Sequence, residues 1–176
     1  MKKTSFADFS CSIARTLDVV GERWAMLIMR SVFLGVRRFD DLQRELGIAR
    51  NVLAERLDAL VGRGLLERRA YQERPVRHEY VLTEKGADLL APLLAIMAWG
   101  DRWESAEAGP PVRLRHEACG KMTRPEVVCS CCGEPLTAEE LTAHAGPGGR
   151  IARGTAVTGE LLAAGPRPLA QDPAVS

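Results

Sequence analysis

Apolar positions along the chain change rhythm several times. Ile13, Leu17 and Val20 recur at i, i+4 and i+7, which predicts a helix over Cys11–Val20 with Ser12 as its cap. Gly21 interrupts it. A second helix is expected over Glu22–Leu34, with Trp24, Leu27, Ile28, Ser31 and Leu34 on one face. A third runs over Asp40–Leu46, where Asp40 is a good N-cap and Phe39, Leu42 and Leu46 share a face. Gly47 suits the left-handed residue that ends such a helix. A fourth begins at Ala49 or Arg50 and reaches Val61, with Leu53, Leu57 and Leu60 as its seam. The period then drops towards two. Leu65–Ala70 and Val76–Leu82 read as strands joined by Tyr71–Pro75. Thr83–Glu107 returns to helical spacing as the longest helix, capped by Thr83 and kinked by Pro92.

Two short helices, two strands and a helix start make the order of a winged helix-turn-helix. Its second helix lies in a DNA groove and its hairpin lies beside it. The fourth helix would be a rod of roughly 18 Å. Asn51, Ala54, Glu55 and Asp58 face away from its seam, with Arg50 and Arg56 on the flanks. Arg50 suits guanine or phosphate, and Asn51 suits adenine or phosphate. The hairpin tip, Arg68–His78, holds four arginines against one glutamate, a charge that suits phosphates. The candidate DNA contacts are Arg38, Arg50, Asn51, Arg56, Arg74 and Arg77. The bland alternative is an amphipathic helix and a hairpin with merely solvated faces.

Charge alters this picture only slightly. The chain of 176 residues has a net charge of +1, and Arg37–Tyr80 holds ten arginines against eight acids. Binding therefore has to rest on a local patch and on base contacts. The longest uncharged run, Leu89–Gly100, is 12 residues and too short to span a membrane. Asp8 and Arg15 interrupt any signal-peptide core, so a cytoplasmic protein is expected. Five cysteines in a reducing compartment argue for metal or redox chemistry over a disulfide framework.

The run CSIARTLDVVGERWAMLIMRSVFLGVRRFDDLQRELGIARNVLAERLDALVGRGLLERR resembles the HxlR-type branch of the MarR-like winged-helix transcription regulators. The carrying features are Cys11, then Leu17, Asp18, Gly21 and Trp24, then Arg38 to Leu42, then Leu53 to Leu60, and the run Arg74–Gly86. The likeness covers about Cys11–Trp103. Ser12 departs from it, standing where the family usually has proline. The resemblance implies a homodimer built on the first and last helices. It also implies that Cys11, just before the first helix, is a redox or electrophile sensor. The alternative for Cys11 is a small buried apolar residue. The stripe Leu89, Leu93, Ile96, Met97 and Trp103, widened by Leu90, Leu94 and Trp99, is broad enough to serve its own domain and a partner subunit.

Beyond Gly109–Pro111 the composition changes. His116-x-x-Cys119-Gly120 and Cys129-x-x-Cys132-Gly133 are two knuckle-like turns, whose four N/S ligands would satisfy a tetrahedral Zn²⁺. Cys131 is an extra thiol, and a small hairpin with free thiols is the alternative. From Ala145 onward the chain is rich in Gly, Pro and Ala and is expected to be largely disordered.

The expected architecture is α+β and mostly helical. Residues 1–107 form the winged helix-turn-helix with a long dimerisation helix, 112–144 a zinc-ribbon-like appendage and 145–176 a tail. The function expected is a homodimeric regulator on double-stranded DNA with a pseudo-palindromic operator, responsive to an oxidant or small-molecule effector. One rival is a winged helix that binds protein in place of DNA. An enzyme is disfavoured: the chain has three histidines, no Gly-rich phosphate loop and no local nucleophile signature.

Overall fold

Residues 5–105 and 107–169 are described in this computed structural model. The helices are α1 (Ser12–Val20), α2 (Ala25–Phe33), α3 (Phe39–Leu46), α4 (Arg50–Gly62), α5 (Glu84–Ala87), α6 (Leu90–Trp103) and α7 (Ala156–Ala163). The strands are β1 (Leu66–Glu73), β2 (Val76–Leu82), β3 (Leu114–His116), β4 (Lys121–Thr123), β5 (Thr142–Ala143) and β6 (Arg167–Pro168). Among the described residues they pair as three separate two-stranded antiparallel ladders: β1–β2 and β3–β4, which are hairpins, and β5–β6, whose strands are joined through α7.

The chain divides into two units. One is residues 19–125; the other joins residues 1–18 to 126–176. In the first, α2, α3, α4 and the β1–β2 hairpin enclose one core. Ile28, Met29, Leu42, Leu53 and Leu57 are fully inaccessible there. The leucine seam of α4 is buried as its spacing predicts. Gly47 ends α3 at φ 61°, and its N–H donates to the Gln43 carbonyl. That sharp stop turns the chain within two residues into α4.

Several boundaries differ from the sequence reading. Asp40 is not the N-cap of α3: the helix begins at Phe39, and Arg38 holds the cap position without a side-chain hydrogen bond. Asp40 and Asp41 fall in the first turn, where the helix dipole favours them. Helix α2 starts three residues late, at Ala25, and buries Ala25, Ile28, Met29, Ser31 and Val32. Leu27 and Leu34 lie on its exposed flank. Strand β1 runs on to Glu73, so Arg74–Pro75 alone forms the turn, with a cis peptide. Strict alternation fails at the end of β2, where Tyr80 and Val81 are both buried. Helices α2, α3 and α5 all pack against β2, so both of its faces are covered there.

The expected long helix is two. Thr83 caps the first as predicted, its hydroxyl accepting from the Gly86 N–H at 3.0 Å. The break falls at Asp88–Leu89, ahead of Pro92. A proline inside a helix clashes with the carbonyl four residues earlier, here Asp88. Restarting at Leu90 puts Pro92 in a first turn, where its missing N–H costs nothing.

In the second unit the Asp18 carboxylate accepts from the Phe6 N–H at 3.0 Å, and Phe6 meets Phe9 edge to face. Arg153 lies over the Phe9 ring, and the Ser10 hydroxyl donates to the Gly148 carbonyl at 3.1 Å. The segment 145–169, expected to lack regular structure, carries α7 and β6. Small alanines and glycines let backbone approach backbone, which a hydropathy argument does not register. Residues 170–176 of that expected tail lie outside the described residues, as do Met1–Thr4 of the N-terminal arm.

Candidate nucleic-acid interface

Helix α4 presents a buried leucine face and an exposed polar start. Arg50 and Asn51 occupy its first turn and are exposed. Arg50 stacks its guanidinium 4.6 Å from the Phe39 ring centre and pairs with Asp40 at 3.3 Å. Both partners of that pair are more than two-thirds exposed, at 71% and 80%. Such a surface pair is weak and gives way readily to a phosphate or a base.

The hairpin arginines divide into two groups. Arg68 pairs with Asp58 of α4, and Arg69 pairs with Glu67 at 3.5 Å. Arg74 and Arg77 sit at the tip, exposed, and form no ion pair among the described residues. Arg38 is exposed beside the hairpin, bridged to Glu79 through its backbone and lying 4.4 Å over the Tyr71 ring. Arg38, Arg50, Asn51, Arg74 and Arg77 are therefore all solvent-facing on the α3–α4–hairpin module.

Arg56 is different. Its side chain is only 20% exposed; one terminal nitrogen pairs with Glu22 at 3.2 Å and the other with Glu55 at 3.1 Å. Its Nε is buried without a hydrogen-bond partner, as is that of Arg30. Sequence reasoning missed Glu22, which helical periodicity had assigned to a helix. It lies instead in the loop before α2.

The cysteine-bearing turns have their own geometry. In the unit of residues 19–125, the Gly120 N–H donates to the His116 carbonyl at 2.8 Å, and Cys119 Sγ lies 3.5 Å from His116 Nδ1. In the other unit, the Cys129 N–H donates to the Glu134 carbonyl and the Gly133 N–H to the Cys129 carbonyl, both at 2.8 Å. The Cys131 N–H points at Cys129 Sγ at 3.5 Å. That N–H, with the Cys132 N–H behind it, holds the Cys129 thiol below the usual cysteine value by favouring the thiolate. Among the described residues no three His, Cys, Asp or Glu side chains stand together as a metal site. Cys11 is a half-buried free thiol immediately ahead of α1.

The family of HxlR-like helix-turn-helix proteins matches residues 19–108. The chain belongs to that family. It is similar to the uncharacterised HTH-type transcriptional regulator MT3179 of Mycobacterium tuberculosis (strain CDC 1551 / Oshkosh), 49% identical over 137 residues, which cover 78% of this chain and 87% of the relative. Among solved structures it resembles PA1607, assigned as a transcription factor, with 38% identity and a TM-score of 0.71 over 82% of this chain and 99% of that one. It also resembles the redox regulator HypR in its oxidised form, with 30% identity and a TM-score of 0.51 over 55% of this chain and 100% of that one. This HxlR-type chain is thus a helix-turn-helix transcriptional regulator and not an enzyme. Among the described residues no helix is long and apolar enough to cross a membrane.

Proposed function

We propose that this HxlR-type regulator works in the cytoplasm as a homodimer on a pseudo-palindromic operator in double-stranded DNA, and that an oxidant or electrophile acting at Cys11 alters its affinity. The observation that carries the DNA reading is the exposed start of α4 beside a hairpin whose tip arginines have no acidic partner among the described residues. Arg50 and Asn51 read base edges, while Arg38, Arg74 and Arg77 hold phosphates. Two copies place their α4 helices one duplex turn apart, about 34 Å. Arg74→Ala should weaken all sequences alike and lower the salt slope by about one, whereas Asn51→Ala should relax preference at one position per half-site. Both are read by titrating operator fragments at several salt concentrations. If neither variant changes affinity, this docking is wrong.

The dimer reading is supported by α6, which buries none of its residues and leaves Ile96, Trp99 and Trp103 more than half exposed. A contiguous apolar face of that kind marks an interaction surface. The Cys11 reading is supported by the position of the thiol at a helix start and by the likeness to a redox regulator. An oxidant should change operator affinity of the wild type and leave Cys11→Ser unaffected.

A structural zinc held by His116, Cys119, Cys129 and Cys132 completes the proposal. It is supported by the way each pair sits on its own glycine-ended turn. Purified protein should carry about one zinc per chain, lost to a strong chelator. Elemental analysis without zinc, together with freely titrating Cys119, Cys129 and Cys132, would leave free-thiol turns in its place.

A further inference from the structure

We infer that Arg56 and Glu22 form a positioning pair that sets the rotation of α4 about its own axis, so that Arg56 acts on DNA recognition without touching DNA. The inference rests on the docking of α4 proposed above. Both terminal nitrogens of Arg56 are engaged by carboxylates, those of Glu22 and Glu55, and its side chain is four-fifths shielded. A guanidinium neutralised in this way brings little attraction to a phosphate. Withdrawing it would leave two carboxylates facing the nucleic acid.

The other end of the pair is stiff. Glu22 lies between the buried residues Val20 and Ala25, and its carbonyl accepts the Ala25 N–H at 2.9 Å. The loop is therefore anchored to the core on both sides. The leucine seam of α4 holds the helix to the body through apolar contact, which has no directional preference. Arg56 lies beside that seam and adds a directional tie.

Rotation is what base reading is most sensitive to. A helix with side chains has a radius of about 5–6 Å, so a turn of about 15° moves side-chain tips by roughly 1.5 Å. A shift of that size takes a hydrogen bond from about 2.9 Å past its useful range. Arg50 and Asn51 lie on the same rigid rod as Arg56 and rotate with it.

The test compares Glu22→Gln, Arg56→Gln and the double variant, all confirmed to be folded, by operator titration at several salt concentrations. The expected result is an equal loss of about tenfold or more in each single variant. No further loss is expected in the double, because the two residues act as one unit. The slope of log affinity against log salt should stay at the wild-type value, and discrimination among operator variants should fall at several positions together. The pair would be overturned if Glu22→Gln binds as the wild type does while Arg56→Gln lowers the salt slope by about one, the mark of a lost phosphate contact. Amide hydrogen exchange without DNA gives a second reading. Faster exchange across α4 in both single variants supports the pair, and unchanged exchange in both opposes it. Failure of Asn51→Ala and Arg74→Ala to alter binding would refute the docking instead, while equal losses at Glu22 and Arg56 would still uphold the pair.

Discussion

Thr83 and Gly86 meet at the joint between the hairpin and α5, and they differ in how they were knowable. The Thr83 hydroxyl donates to the Gly64 carbonyl and accepts from the Gly86 N–H. Thr83→Ala should cost about 1 kcal/mol, read from a denaturant midpoint. A methyl on Gly86 would sit 2.0 Å from the Leu65 carbonyl oxygen. That neighbour is backbone and cannot swing aside, so Gly86→Ala should cost more, about 2–3 kcal/mol or above. The cap was legible in the sequence because it needs only local spacing. The glycine was not, because its constraint comes from across the hairpin. The same holds for Arg56, whose partner Glu22 sits on another element. Arg50, Asn51 and Arg74 were legible because exposure on a short rod or a tight turn follows from the local pattern. A further prediction concerns Cys129. Its thiol is held low by the Cys131 and Cys132 N–H groups, so the thiolate persists to lower pH than in a free cysteine. In chelator-treated protein, alkylation at Cys129 should fall off at a lower pH than that of a model peptide, followed by mass spectrometry across pH 6–10, a range bracketing the ordinary thiol value near 8.5.

Elements were easier to foresee than their ends. Helical seams in α3 and α4 and the two long strands came from periodicity, because burial of one face imposes it. Proline placement needed structure: Pro92 ends up starting α6, where the sequence suggested a kink in one long helix. This leaves α6 as a separate rod with Ile96, Trp99 and Trp103 outward, while Leu93, Leu94 and Met97 are half-buried. Ile96 is 58% exposed and would recur by symmetry in the proposed two-fold dimer. Burying an isoleucine is worth about 1.5–3 kcal/mol, and a charge in its place adds desolvation cost. Ile96→Glu should therefore weaken dimerisation at least about a hundredfold, while far-UV circular dichroism keeps its helical signal. Sedimentation equilibrium at micromolar concentration checks this.

At the level of the whole molecule, the division into units was the least legible feature. It joins the first residues to the last, a pairing that no local pattern encodes. The contact is close: Gly154 has φ +81°, and a Cβ there would lie 2.0 Å from the Phe9 ring. Gly154→Val should push Phe9 away and loosen the arm that leads into Cys11. Iodoacetamide should then label Cys11 several-fold faster than in the wild type, with Cys119 unchanged as an internal reference in the other unit.

The meeting of Phe9 with Gly154 also sets an order of events at the ribosome. At about 5–20 residues per second, the arm waits roughly 7–30 s for the segment that will pack against it. All of residues 19–125 is made in that interval and can fold first. The arm, made before that module, is thus finished after it. Until then Phe6 and Phe9 travel without their C-terminal cover, and a nascent chain stalled before residue 148 would carry its DNA-reading module complete and its first helix still unsecured.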